Sequence, residues 1–285
     1  MHWLIGLNLY IALGAGSLTA ASTVLLRTHP GGGGETSLWA VALVVTCGVL
    51  AVYNLGRIAV KRGEGTQPLE TETTRRRWIE RQQKAVALLG AMSLLACGLG
   101  ALTLLPPSAW IVLAIGAAVV AAYYGGAAWA TRKNLGLRSV PAIKPLTVGA
   151  AWAAATALLP AAAMGKSLET GIAWNLAAIN GLFIAGLTLP FDIRDRHHDA
   201  DRGVATLATV AKPAAVQCFA VATLLAAGVV AAIADPSQLA SARPWTAAGV
   251  AGIVLLSGPP RRDAFYSVGL DGLVFVWAAA TWLDA

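Results

Sequence analysis

Residues 213–234 read PAAVQCFAVATLLAAGVVAAIA, twenty-two positions holding one glutamine and no charge. At about 1.5 Å of rise per residue, such a run covers roughly 30 Å as a helix, the hydrocarbon thickness of a bilayer. Its apolar residues are continuous instead of alternating, so it reads as a spanning helix and not as a barrel strand. Working outward, comparable runs fall near 3–26, 38–60, 85–105, 109–131, 145–165, 172–190, 245–257 and 266–283. Pro106-Pro107 divides the third from the fourth, and Pro259-Pro260 closes the eighth. The eighth is short for a crossing, so tilt or flanking residues have to complete it.

The composition agrees with that pattern. Of 285 residues, 57% are hydrophobic and only 12% are charged, too little polar surface to cover a soluble core of this size. The expected fold is all-α, a polytopic membrane bundle of nine transmembrane helices forming one domain over residues 1–285. After Met1-His2-Trp3 the chain is apolar to about Leu26 without a basic leader, which predicts a retained first helix and not a cleaved signal peptide. Cys47, Cys97 and Cys218 all lie in apolar runs, and their odd number argues against a disulfide framework. Gly31–Gly34 follows no strand, so it has no phosphate-binding context.

A net charge of +7 raises the question of nucleic acid, but the placement of the charge answers it. With the N-terminus inside, the connections after spans 2, 4, 6 and 8 carry eighteen of the 21 Lys and Arg residues; the other face keeps Arg27, Lys166 and Arg243. That asymmetry is the positive-inside pattern. It predicts a cell inner membrane protein with a cytoplasmic N-terminus and no nucleic-acid partner. Trp3, Trp39, Trp110, Trp174, Trp245 and Trp282 lie near span ends, where interfacial anchors belong.

The charged stretch after the sixth run carries the chemistry. Leu189-Pro-Phe-Asp192-Ile-Arg194-Asp195-Arg196-His-His-Asp199-Ala-Asp201 places four acids in ten residues, out of 14 in the chain. If the sixth helix continues past Phe191, the spacing of three and then four puts Asp192, Asp195 and Asp199 on one face. Like charges so placed repel, and a divalent cation removes the penalty; carboxylates completed by water and phosphate oxygens are a usual Mg²⁺ shell. The competing reading is a solvated loop in which Arg194, Arg196 and Arg202 neutralise the acids. His197 and His198, being adjacent, point to different faces and make a poor ligand pair.

The tract Asp192-Ile-Arg-Asp195-x-x-x-Asp199, followed by Gly203-x-x-Thr206-Leu207, resembles the second aspartate motif of the UbiA superfamily of membrane prenyltransferases. The resemblance implies a nine-helix bundle with motif loops after helices 2 and 6 on the cytoplasmic side, which is where the span count puts this tract. Leu137-Arg138-Ser-Val-Pro141-Ala-Ile-Lys144 resembles the Pro-x-x-Lys tract entering helix 5, with Tyr123 and Tyr124 upstream. At the first motif, Tyr53-Asn54-Leu-Gly-Arg57 supplies the asparagine, but Ile58 and Arg62 stand where the family places aspartates. Gly56 occupies the position of a further acid found in some branches. Glu64, Glu70 and Glu72 follow at other spacings, and Arg57, Lys61 or Arg62 can replace one cation's charge.

The resemblance thus implies a transferase that moves an isoprenyl group from a polyprenyl diphosphate to a lipophilic acceptor with Mg²⁺. The metal candidates are Asp192, Asp195, Asp199 and Asn54. Asn54, Arg57, Arg138, Lys144, Tyr124 and Arg194 are the substrate-binding candidates, and Asp195, Asp199, Lys144 and Asp271 the catalytic ones. Asp271 lies inside the ninth run, where an acid needs a partner or a wet cavity; it can orient ligands, act as a base, or pin two helices. The alternative is a non-catalytic relative that binds an isoprenoid lipid or a membrane partner and has lost the first metal site. A secondary transporter fits less well, since no internal repeat is evident and the acids sit at the mouth.

Overall fold

The computed structural model describes residues 8–28, 36–63, 81–129, 141, 143–165, 171–201, 204–234, 241–257 and 264–285. Nine main helices run through them: α1 Leu9–Thr28, α2 Leu38–Gly63, α3 Gln83–Leu104, α4 Pro107–Trp129, α5 Ile143–Ala163, α6 Gly171–Asp201, α7 Pro213–Ala234, α8 Ala242–Leu255 and α9 Phe265–Leu283. Eight are long and apolar enough to cross a membrane; α8, with 14 residues, is the short one that the sequence singled out. No strand occurs among the described residues. The protein is a multi-pass membrane protein.

The helices pack as a ring. α1 lies between α9 and α2, α2 touches α3 and α4, α4 leads to α5, and α5, α6, α7 and α8 follow in order until α8 meets α9. Close contact depends on small residues, because lipid offers no hydrophobic drive between helices and van der Waals fit has to supply it. A Cβ added to Gly149 of α5 would lie 2.6 Å from the Gly181 carbonyl of α6, so only glycine permits that approach. α3 and α4, at the rim, expose Leu88, Leu95, Leu102, Ile111 and Ile115, as a lipid-covered face should. Trp39, Trp174, Trp245 and Trp282 are exposed near helix ends. An aliphatic groove of about 450 Å³ between α2 and α3 is lined by Leu55, Ala91, Leu94, Leu95, Gly98, Leu99 and Leu102.

Two helices contain π-turns. In α5 the turn covers Ala154–Leu158, just before Pro160, whose missing N–H breaks the regular ladder. In α9 the turn covers Phe265–Leu270 and delivers Asp271 to the first position of the following α-helix. At depth, α1, α5, α6 and α9 are tied by one neutral knot. Asn180 donates to Ser22 Oγ (3.2 Å) and Thr156 Oγ1 (3.1 Å), and accepts from the Trp277 indole N–H (3.1 Å). Phe183 stacks on Trp277 with centroids 4.1 Å apart.

Candidate functional site

The condition set by the sequence is met: α6 runs on past Pro190 to Asp201. Asp192, Asp195 and Asp199 therefore hang from one helical end in the expected phase. Their surroundings differ. Asp192 and Asp199 are buried, while the Asp195 side chain is 39% exposed. The Val204 N–H donates to the Asp199 carbonyl at 2.8 Å and closes the helix end. Thr209 Oγ1 then accepts from the Thr206 N–H at 2.8 Å, starting a short helical turn, Leu207–Val210.

Lys144 sits in the first turn of α5 and forms an ion pair with Asp192. A cation in a first helical turn opposes the helix dipole, so the carboxylate across the interface holds it there and not α5 itself. Arg194 pairs with its neighbour Asp195 through Nε (2.7 Å) and Nη2 (3.0 Å). Its guanidinium also lies 5.2 Å from the Phe191 ring centroid and 5.1 Å from that of Tyr266 in α9. Two aromatic faces thus fix the arginine that orients Asp195.

On α2, Asn54 is fully buried. Its Nδ2 donates to the Leu50 carbonyl at 2.9 Å, and its Oδ1 accepts from Asn8 Nδ2 at 2.9 Å. Gly90 of α3 keeps it in place from outside: a Cβ there would come within 3.3 Å of the Asn54 Cβ. Gly56 of α2 lies against α4: a Cβ there would come 2.4 Å from the Tyr124 Cζ.

Among the described residues, then, the helices bring Lys144 to Asp192, Arg194 to Asp195 and Tyr124 to Gly56, while Asp271 stands at the start of the α-helical part of α9. Arg138, Glu64, Glu70, Glu72 and Arg202 lie outside the described residues, as do the side chains of Arg57, Lys61, Arg62 and His198. Sequence reasoning missed Asn8 and Tyr266. Asn8 had a signal, a lone amide heading an apolar run, and it has a positive φ of 59°. Tyr266, at the start of the ninth apolar run, carried no signal of its own.

No three His, Cys, Asp or Glu side chains converge as a metal cluster among the described residues. Mg²⁺ does not require such a cage, because one or two carboxylates with waters and substrate phosphates suffice. Asp195 and Asp199, one turn apart with Asp195 half exposed, are a donor pair of that kind. The pair fits Mg²⁺.

A family model described as the UbiA prenyltransferase family matches residues 70–259. The chain belongs to that family. The matched stretch contains Tyr124, Lys144 and the whole Asp192–Asp199 tract, while Asn54 precedes it and Asp271 follows it. Solved structures agree on the fold. An apo UbiA homologue from Aeropyrum pernix K1 superposes with a TM-score of 0.63 at 15% identity over 96% of each chain. A UbiA homologue from Archaeoglobus fulgidus, bound to DMAPP and Mg²⁺, gives 0.61 at 10% identity over 99% of each. A digeranylgeranylglyceryl phosphate synthase structure gives 0.56 at 15% identity, covering 99% of this chain and 97% of that one. No curated protein sequence matches the chain.

Proposed function

We propose that the protein is an Mg²⁺-dependent membrane prenyltransferase that moves an isoprenyl group from a polyprenyl diphosphate to a lipophilic acceptor. The observation that carries this reading is the α6 end. It offers three carboxylates in helical register, with Asp192 paired to Lys144 of α5 and Asp195 to Arg194, within the fold of a prenyltransferase family. The distribution of eighteen of 21 bases supports a cytoplasmic site, a cytoplasmic N-terminus and residence in the inner membrane.

In the reaction the allylic C–O bond breaks and its electron pair leaves with diphosphate, while the acceptor forms the new bond to C1. Bound Mg²⁺ would supply charge neutralisation on the leaving oxygens, held by Asp195 and Asp199 with Asp192 behind them. Lys144 adds a cation for the diphosphate, and Arg138 and Arg57 are the further bases that the sequence offers for it. Arg194 positions Asp195. Asn54 serves as the α2 ligand to metal or phosphate, with Asn8 fixing the direction of its amide. The Ala- and Gly-rich bundle shelters the isoprenoid chain from water.

Purified protein in nanodiscs, given labelled farnesyl, geranylgeranyl and longer diphosphates with a panel of acceptors, tests the reading. Diphosphate release should require Mg²⁺ and fall at least 100-fold in Asp195→Ala and in Asp199→Ala. Tight binding without turnover favours the non-catalytic, isoprenoid-binding reading instead. The feature favouring that second reading is the first motif, where Ile58 and Arg62 replace both aspartates.

A further inference from the structure

The pair Arg194–Asp195 is not one that a helix makes by itself. Neighbouring residues of an α-helix project in different directions, and favourable side-chain pairs form at separations of three or four. Yet both oxygens of Asp195 accept from the adjacent guanidinium, Oδ1 from Nε at 2.7 Å and Oδ2 from Nη2 at 3.0 Å, as a side-on fork. Something outside the pair has to hold the guanidinium back over the carboxylate. Phe191, one turn earlier on α6, and Tyr266 of α9 do so, with ring centroids 5.2 Å and 5.1 Å from the Arg194 Cζ. Tyr266 is itself fixed. It is buried in the π-turn of α9, with Phe191 at 5.9 Å and Phe265 edge to face at 5.4 Å between centroids. π-turns inside helices are frequent at functional sites.

The two carboxylate–cation pairs at this mouth differ in how readily they exchange. Asp192 is buried, and a buried carboxylate cannot lose its lysine without another cation in its place. Asp195 and Arg194 are both partly exposed, and a pair so wetted is weak enough to open when a stronger partner arrives. Asp195 is also one of the two carboxylates that fit Mg²⁺, so the fork engages the oxygens that the metal would need. A guanidinium released from a carboxylate suits phosphate oxygens with the same fork of donors. The aromatic faces hold the cation by its plane and leave its N–H groups able to change partner.

We propose that Arg194 is a resident counter-cation of the diphosphate site: it neutralises Asp195 until substrate arrives, then passes to the diphosphate as the carboxylate turns to the metal, with Tyr266 the positioning residue that holds its guanidinium in both states. The proposal rests on the prenyltransferase reading and adds an order of events to it. A metal ion alone has to displace an arginine that gains no anion in return. When diphosphate comes with the metal, the arginine gains a new partner, so each ligand favours the other. Arg194 thereby keeps Asp195 from collecting divalent ions in the absence of substrate. Tyr266 extends control of the motif to α9, beyond the stretch 70–259 that matches the family model.

The test uses full-length protein in phosphatidylcholine nanodiscs. Mn²⁺, read by electron paramagnetic resonance, is the metal probe, and farnesyl thiodiphosphate at saturating Mg²⁺ is the substrate probe. Arg194→Gln should bind Mn²⁺ alone about three- to fivefold more tightly than wild type. The same variant should bind the thiodiphosphate about tenfold more weakly. Adding Asp195→Asn should cancel the gain in Mn²⁺ affinity, which locates that gain at this carboxylate. Tyr266→Leu should shift both affinities in the same directions by less, whereas Tyr266→Phe keeps the aromatic face and should match wild type with both probes. These two variants keep the proposal testable if Arg194→Gln does not fold. A merely structural role for either residue would weaken both probes together. The proposal is overturned if Arg194→Gln binds Mn²⁺ no more tightly than wild type, if the gain survives Asp195→Asn, or if Tyr266→Phe is as impaired as Tyr266→Leu. Each of these results leaves the prenyltransferase reading intact so long as wild type binds the thiodiphosphate in an Mg²⁺-dependent manner. A wild type that does not bind it sinks both.

Discussion

Two polar clusters hold this bundle together, and they obey different rules. Around Asn180 everything is neutral: one amide, two hydroxyls and an indole satisfy each other at 3.1–3.2 Å in a fully buried site. At the end of α6 everything is charged: Lys144 meets Asp192, and Arg194 meets Asp195 in a half-exposed setting. The contrast shows how depth selects chemistry. In the hydrocarbon zone a charge needs costly compensation, so structural ties there use neutral hydrogen bonds. At the mouth, where water and phosphate can exchange with protein ligands, charges are tolerated and can change partners. The knot is built to stay closed, and the mouth to rearrange.

Breaking the mouth should have the larger effect. Lys144→Ala leaves Asp192 buried without its cation, and should lower stability by about 3–5 kcal/mol in mixed-micelle unfolding. Replacing Asp192 with leucine in the same background should recover most of that loss. An unchanged midpoint in Lys144→Ala would mean that the pair contributes nothing to folding. Asn180→Leu comes next, at about 1–2 kcal/mol, because hydroxyls in membrane helices can return to their own helix carbonyls, as Thr156 already does with Trp152. This variant should leave diphosphate binding within twofold of wild type, and a large binding defect would erase the distinction between the two clusters. Asn8→Ala should be the mildest for stability, about 1 kcal/mol or less. Its expected signature is functional: a several-fold weaker response to Mg²⁺ or diphosphate, since Asn54 loses the donor that fixes its amide.

Much of the fold was legible because it depends on short-range rules. Hydropathy and proline marked most of the helices to within a few residues, and α7 coincides with its apolar run at Pro213–Ala234, while α6 outruns its apolar run by eleven residues to Asp201. The acids of the second motif could be phased because helical spacing depends only on sequence separation. The first-motif side was less legible. Asn54 stood out as a motif residue, but its buried bond to Asn8 spans 46 positions. Gly56 looked like a missing acid in the sequence. In the bundle it is the seat of Tyr124.

The sequence alone determined the membrane class, the placement of the apolar helices, and the register of Asp192, Asp195 and Asp199. These follow from local hydropathy and from a helical repeat that needs no knowledge of neighbours. Only the tertiary structure decided that Lys144 finds Asp192 across 48 residues and that Tyr266 covers Arg194 from α9. It also seats Tyr124 of α4 against Gly56 of α2. Such pairings depend on which face each helix turns to the others, and that is set by small-residue contacts such as Gly149 on Gly181, whose effect appears only when the helices pack.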